Sequence, residues 1–393
     1  MSTEPIGIVA PMQQTEKAPA ENETHPRRFG QILSEYVAGL LDKKPSTGEV
    51  FVELDGLRGF AVFLVLASHS DLFHLRGQGA VGVWLFFVLS GFLLTNITLR
   101  KVPESLGVRE LAKYVVRRIA RILPAYYTAL ILITLLEQKS GMWLFRHMMF
   151  MQADGHFWSI PQEELFYLLL PAFAAVIYWL NRFLRLPPLL LAGALLLGAV
   201  VKGFPFFTIP GNGGPTSFYI DIFMMGFFLA HLWQLDPIQR LRKSREFLPF
   251  ANIGGVICFL VMLLGAKEQL TYYGKFIPSA PADYLGWLYP TRYAVICAVL
   301  LFVTLTPGSW TQRLFSCRGF RVVGVLSFGL YLLHYNILLT LLRRGVVTEG
   351  FALFATVSVL SLISALVLER FVERPSMRVG RWINSRLNRG SIY

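Results

Sequence analysis

Cysteine and charge are both scarce in this chain of 393 residues. Its three cysteines, Cys258, Cys297 and Cys317, form neither a disulfide framework nor a zinc-ligand spacing, which excludes a cross-linked or metal-stapled fold. No two histidines or cysteines stand at a local metal-binding spacing, so no metal is expected. Charged residues are only 16% of the chain, too few for a soluble domain. Residues 1–48 lack the apolar core of a signal peptide, so no cleavage is expected. No internal repeat is visible, and with it goes the paired-half pattern common in transporters.

Apolar residues dominate instead. They make up 54% of the chain, with 32 Phe and 8 Trp, and the mean hydropathy is +0.52. That is the composition of an all-α polytopic membrane protein. Apolar stretches recur at 55–73, 80–99, 122–138, 163–180, 187–202, 217–235, 249–266, 284–306, 322–342 and 350–371, which predicts about ten transmembrane helices. The stretch from 187 is the shortest. The net charge of +13 raises a nucleic-acid reading, but its placement answers to the membrane. Basic residues crowd alternate loops, including Arg109 to Arg121, Arg240 to Arg245, Arg313 to Arg321 and Arg374 to Arg389. The positive-inside rule then puts both termini in the cytoplasm. Residues 1–48 read as a largely disordered cytoplasmic tail with an interfacial helix from Phe29, and 49–375 as the transmembrane domain. Residues 376–393 read as a basic cytoplasmic tail lying on the anionic leaflet.

Two ionisable residues interrupt the first apolar stretch. Arg58 and His69 lie within GLRGFAVFLVLASH, and an ionisable group at the centre of a membrane helix costs roughly 2.5–3.5 kcal/mol. On a helix this separation gives about 16 Å of rise and only ~20° of rotation. Both side chains therefore fall on one stripe, Arg58 near one membrane surface and His69 near the other. A cation at one mouth and a proton acceptor at depth fit a reaction path. The structural alternative is an Arg58 that snorkels to the headgroups and a His69 that packs. Ser68 and Ser70 flank His69 but point about 100° away, so a serine nucleophile is not indicated.

Six stretches, in order, carry a family pattern. They are LDGLRGFAVFLVLASH, GVWLFFVLSGFLLT, RRIARILPAYY, HFWSIPQEELFYLLLP, GVLSFGLYLLH and LERFVERPSMR. Together they resemble the acyltransferase-3 family of integral-membrane acyltransferases, from about Val52 to Arg378. The resemblance implies a membrane O-acyltransferase that moves an acyl group, most often acetyl, from cytoplasmic acyl-CoA to a hydroxyl of a saccharide such as a lipopolysaccharide or exopolysaccharide. It implies a bacterial inner-membrane location, and helices enclosing a tunnel from the cytosol to the outer face. Trp84 stands where many relatives carry an acidic residue, which reshapes the expected acceptor side. No soluble esterase-like extension of the kind some relatives carry is expected after the membrane domain, which is then expected to act alone or with a partner protein.

The resemblance also gives roles. Acyl transfer to an alcohol needs a base near neutral pH, and His69 is the candidate, with a covalent acyl-histidine relay as second choice. Arg58, at the cytoplasmic mouth with Asp55 three residues before it, is expected to act with His69 and to meet the phosphates of acetyl-CoA. Arg118 and Arg121, also three apart, are expected to project together and grip the same phosphates, or to serve as topology charges. Ser90 and Gly91 permit close approach of the donor or of another helix. Trp158, Glu163, Glu164 and Tyr167, at the outer entrance of the fourth span, suit a saccharide acceptor; an aromatic belt accounts for Trp158 and Tyr167 without one. His74, His147 and His156 fall in outward loops, and His231 and His334 read as packing residues. A transporter or channel is the rival reading, since buried ionisable groups fit it as well.

Overall fold

A computed structural model describes residues 29–41, 51–75, 77–202, 208–211, 214–217, 219–264, 289–346 and 350–389. The chain divides into two compact units after Lys43. The first contributes one helix, α1 (Phe29–Leu41), where the apolar spacing predicts one. The second is built on α2 (Val52–His69), α3 (Gln78–Leu99), α4 (Val108–Leu136), α5 (Gly141–Met148), α6 (Ser159–Leu184), α7 (Pro188–Lys202) and α8 (Ile220–Trp233). Further along come α9 (Asp236–Lys243), α10 (Phe247–Leu264), α11 (Tyr289–Thr304), α12 (Trp310–Ser316), α13 (Arg318–Val325), α14 (Ser327–Arg343), α15 (Gly350–Leu368) and α16 (Arg374–Arg389).

Every apolar stretch read from the sequence overlaps one of these helices. Among the described residues, four helical runs are long and apolar enough to cross a membrane: Gln78–Leu99, Val108–Leu136, Gly155–Leu184 and Gly350–Asn388. The number rises to six if two bent pairs are counted, α9 with α10 (86°) and α13 with α14 (73°). α7, α8 and α11 are shorter apolar helices, and α2 carries Glu53, Asp55 and Arg58 in its first two turns. The acidic pair suits the positive end of the helix dipole.

One element departs from the all-helical expectation. Strands β1 (Thr208–Gly211) and β2 (Gly214–Ser217) form an antiparallel hairpin, with Thr208 opposite Ser217 and Gly211 opposite Gly214. The run TIPGNGGPTS fits it, because its prolines and glycines both resist a helix. An apolar count across this region overlooks that signal.

The core gathers around α3, which is buried along most of its length between α2 and α8. Two glycines set the α3–α8 distance. A Cβ at Gly91 would stand 2.3 Å from the Phe223 carbonyl oxygen, and one at Gly226 would stand 2.1 Å from that of Val88. Backbones this close exclude any side chain. Phe223 then stacks between Phe87 (4.3 Å) and Phe166 (4.5 Å), tying α3, α8 and α6 together.

Near the end of the chain, a π-turn at Glu369–Glu373 carries α15 directly into α16. α16 packs along α4, where Asn384 Nδ2 donates to the Lys113 carbonyl at 3.4 Å. The basic tail is a helix as far as Arg389, with Arg378, Arg381, Trp382 and Arg386 on its exposed side.

Candidate active site

Three segments far apart in sequence bring their histidines together. His69 is the last residue of α2, His334 lies mid-way along α14, and His156 sits in a 3-10 turn, Gly155–Trp158, that leads into α6. Gly155 opens that turn at φ +58°, a left-handed conformation that favours glycine. His69 Nδ1 lies 2.8 Å from His334 Nε2, with the two rings nearly parallel at 9°. His334 Nδ1 is in turn 2.8 Å from the Tyr331 carbonyl oxygen.

These contacts fix where the protons sit. A carbonyl only accepts, so His334 Nδ1 carries the proton and, in the neutral ring, Nε2 is a bare acceptor. His69 must then donate from Nδ1, which leaves the lone pair of the neutral ring on Nε2. Among the described residues nothing bonds to His69 Nε2, and the His69 side chain is exposed whereas His334 is fully buried. The result is a proton acceptor held in one tautomer and open to an incoming molecule.

A buried frame surrounds the pair. His156 Nε2 donates to the Leu332 carbonyl at 3.0 Å, and its ring meets that of His334 edge-on at 5.2 Å. Tyr331 donates its hydroxyl to the His156 carbonyl and receives one from Ser159 Oγ at 2.8 Å. The Tyr335 ring leans on both His69 (5.1 Å) and His156 (5.5 Å). Sequence reasoning put His156 in a loop and His334 in packing, and so missed both. The pairing joins residues 265 apart, which no local spacing encodes.

Next to this cluster lies a small, partly open pocket of about 30 Å³ lined by Arg58, Phe86, Ser159, Glu163, Ser327 and Tyr331, among others. Arg58 lies over the Phe86 ring at 5.4 Å, and among the described residues no carboxylate pairs with it. Glu163 Oε1 accepts from Ser90 Oγ at 2.7 Å and from the Tyr167 hydroxyl. Arg118 adjoins this group, its guanidinium 5.5 Å from the centre of the Tyr167 ring. Ser90 and Arg118, read as donor-side residues, therefore share one cluster with Glu163 and Tyr167, read as acceptor-side residues. Tyr167 lies about 12 Å along α6 from its start, deep enough for a long arginine on α4 to reach it.

The remaining candidates separate. Arg121 turns away from Arg118 toward the π-turn, where it meets Glu373 at 3.5 Å and Met377 Sδ at 3.7 Å. Gly91 faces α8 at the backbone crossing, the packing alternative. Trp158 is wedged edge-on against Phe87 and Tyr219. Glu164 has one oxygen buried without a hydrogen bond and lies within electrostatic reach of Glu163 and Arg118. Among the described residues no group of three or more His, Cys, Asp or Glu side chains is arranged to hold a metal ion.

Comparison with known proteins gives this constellation its context. Residues 51–370 match the family model described as an acyltransferase domain, the third of that name. The chain belongs to this acyltransferase family. Peptidoglycan O-acetyltransferase OatA of Listeria monocytogenes is 28% identical over 83% of this chain and 56% of its own length. The putative peptidoglycan O-acetyltransferase YrhL of Bacillus subtilis is 27% identical over 82% of this chain and 54% of its own. A putative O-acetyltransferase of Staphylococcus aureus is 25% identical over 83% and 57% respectively. The chain thus spans little more than half the length of these relatives. No solved structure matches it. All the histidines and arginines of the site lie inside the segment that matches the family.

Proposed function

We propose that this protein is a membrane O-acetyltransferase that uses acetyl-CoA from the cytosol and delivers the acetyl group to a saccharide hydroxyl of the cell envelope. The observation that carries the reading is the free Nε2 of His69, fixed as an acceptor by its bond to His334. In the reaction, His69 Nε2 takes the proton of the acceptor hydroxyl as its oxygen attacks the thioester carbonyl. The tetrahedral intermediate collapses, the C–S bond breaks, and the thiolate takes up the proton from His69. An ester and a free thiol result, and the histidine returns to its starting tautomer. The relatives named as peptidoglycan O-acetyltransferases favour a glycan acceptor. Purified protein given acetyl-CoA and a glycan acceptor should release free thiol in step with ester; a transporter would release none.

In this reading all ten apolar segments cross or re-enter the membrane, both termini face the cytosol, and the His69 end of α2 faces outward, the helices enclosing a path between the two sides. Topology is testable with an impermeant thiol reagent. Cys317 is the exposed native thiol and is replaced first; Cys258 and Cys297 are buried. Met151→Cys should then label in intact cells and Arg386→Cys only after lysis. The reverse pattern inverts the orientation.

Arg118 is the phosphate-facing arginine of the donor entrance. Arg118→Gln should raise the KM for acetyl-CoA about 5- to 50-fold, the loss expected for a charge-assisted contact. Arg118→Lys should recover only part of this, because an ammonium cannot form the guanidinium fork. Arg121→Gln should act more weakly on KM, since Arg121 already holds Glu373. Equal effects of the two would contradict this division.

A further inference from the structure

His69 Nε2 is open to an incoming molecule, and the side chain beside it holds an unused donor. Tyr335 follows His334 on α14, with its ring centre 5.1 Å from that of His69 and 5.5 Å from that of His156. The ring is held in place. A Cβ at Gly155 would stand 3.5 Å from its Cε1, and the ring packs on the buried cluster of Leu338, Leu353 and Val357. Among the described residues nothing bonds to its hydroxyl, although the side chain is half-buried. Its neighbours behave differently. Tyr114, Tyr126, Tyr127 and Tyr331 give their hydroxyls to backbone carbonyls, and Tyr167 gives its own to Glu163. A buried tyrosine usually finds such a partner, so the hydroxyl left over beside the base points to a ligand that completes it.

We propose that Tyr335 anchors the acceptor, its hydroxyl donating to one oxygen of the sugar while His69 Nε2 takes the proton from a neighbouring hydroxyl. The assignment rests on the reading of His69 as a base toward a saccharide, and it names a residue that selects that acceptor. It calls for two oxygens close together, which adjacent hydroxyls on a sugar ring supply and a monohydric alcohol does not. A phenol suits this class, since its ring offers an apolar surface to sugar C–H groups and its tip a hydrogen bond. The aromatic residues that the sequence pattern gives to the acceptor are otherwise engaged. Trp158 is wedged against Phe87 and Tyr219, and the Tyr167 hydroxyl is bonded to Glu163. Tyr335 keeps its proton throughout, so its contact acts in binding and orientation and leaves the proton transfer to His69.

Removing a single oxygen tests this. Tyr335→Phe keeps the ring contacts and loses only the hydroxyl, so it should fold as the wild type does. Full-length protein in lipid nanodiscs is given acetyl-CoA with either chitotetraose, an N-acetylglucosamine oligomer, or propanol, and ester formation is followed. In Tyr335→Phe the KM for chitotetraose should rise roughly 2- to 12-fold, the worth of one hydrogen bond. Its kcat and the KM for acetyl-CoA should be unchanged, as for a contact made equally in the ground and transition states. Transfer to propanol, which has no second oxygen, should be the same in both proteins. Tyr335→Leu, which also removes the ring, should lower kcat as well, because His69 loses a neighbour that restrains it. An unchanged KM for chitotetraose in Tyr335→Phe would overturn the anchor and leave the enzyme reading standing. A fall in kcat alone would overturn it too, making Tyr335 a support for His69. If wild-type protein acylates chitotetraose no faster than propanol, the anchor and the saccharide reading fall together.

Discussion

Replacing His69 with alanine should lower turnover by roughly 10²–10⁴-fold, the usual contribution of a positioned general base. Donor affinity should stay near wild type, because in the proposed reaction the imidazole acts on the acceptor hydroxyl and Arg118 meets the donor. The variant should remain folded. His69 is exposed and ends its helix, so truncation removes its contacts with His334 and Tyr335 without opening a void in the core. The comparison is thiol release per folded molecule, with acetyl-CoA binding measured on the same preparation. A folded His69→Ala protein that turns over normally would reduce the histidine pair to a packing contact. A variant that hydrolyses acetyl-CoA but no longer acylates the glycan would keep His69 in the site and restrict its role to the acceptor.

The sequence exposed one half of this site and concealed the other. Arg58 and His69 stand out because charged and titratable groups are costly in apolar helices, so a single stretch of α2 displays them. The family pattern is legible for a similar reason: each motif is local, and the matched segment 51–370 nearly coincides with the stretch from Val52 to Arg378 where the motifs occur. His334 gives no such local signal. YLLH reads as ordinary packing until α14 is laid against the end of α2, and that contact depends on the bend between α13 and α14. His156 is hidden differently. Its placement depends on the left-handed turn at Gly155, which makes a loop residue into a buried one at 5% exposure. The expected topology of the spans also set Arg118, at a cytoplasmic approach, and Ser90, in mid-span, apart from Glu163 and Tyr167 at an outer entrance. Glu163 nevertheless joins Ser90 to Tyr167, and the long Arg118 side chain reaches the Tyr167 ring. The same limit applies to Arg118 and Arg121, whose spacing puts them on one face while their partners, Tyr167 and Glu373, draw them apart.

Losing His334 should also slow turnover, though less than losing His69, even though His334 touches no substrate. Its role is positional. By accepting from His69 Nδ1 it keeps the His69 lone pair on Nε2, and it can do so only because its own Nδ1 is committed to the Tyr331 carbonyl. His334→Phe keeps a ring of similar size in the buried slot but removes the acceptor. His69 is then free to carry its proton on either nitrogen and to rotate. A carboxylate that orients a catalytic histidine is worth up to about 10⁴ in turnover. A neutral imidazole adds no charge stabilisation, so the expected loss is smaller, roughly 10- to 100-fold. His334→Gln is the informative companion. A glutamine can accept from His69 through its carbonyl and donate to Tyr331 through its amide, so it should recover a substantial part of the loss. Because the defect lies in the state of the base, it should appear in kcat, with the KM for acetyl-CoA unchanged. A simple loss of packing predicts another pattern: both variants would lower thermal stability, and turnover per folded molecule would be preserved. Equal losses of kcat in the phenylalanine and glutamine variants, with folding intact, would mean that the hydrogen bond from His69 is not what His334 contributes.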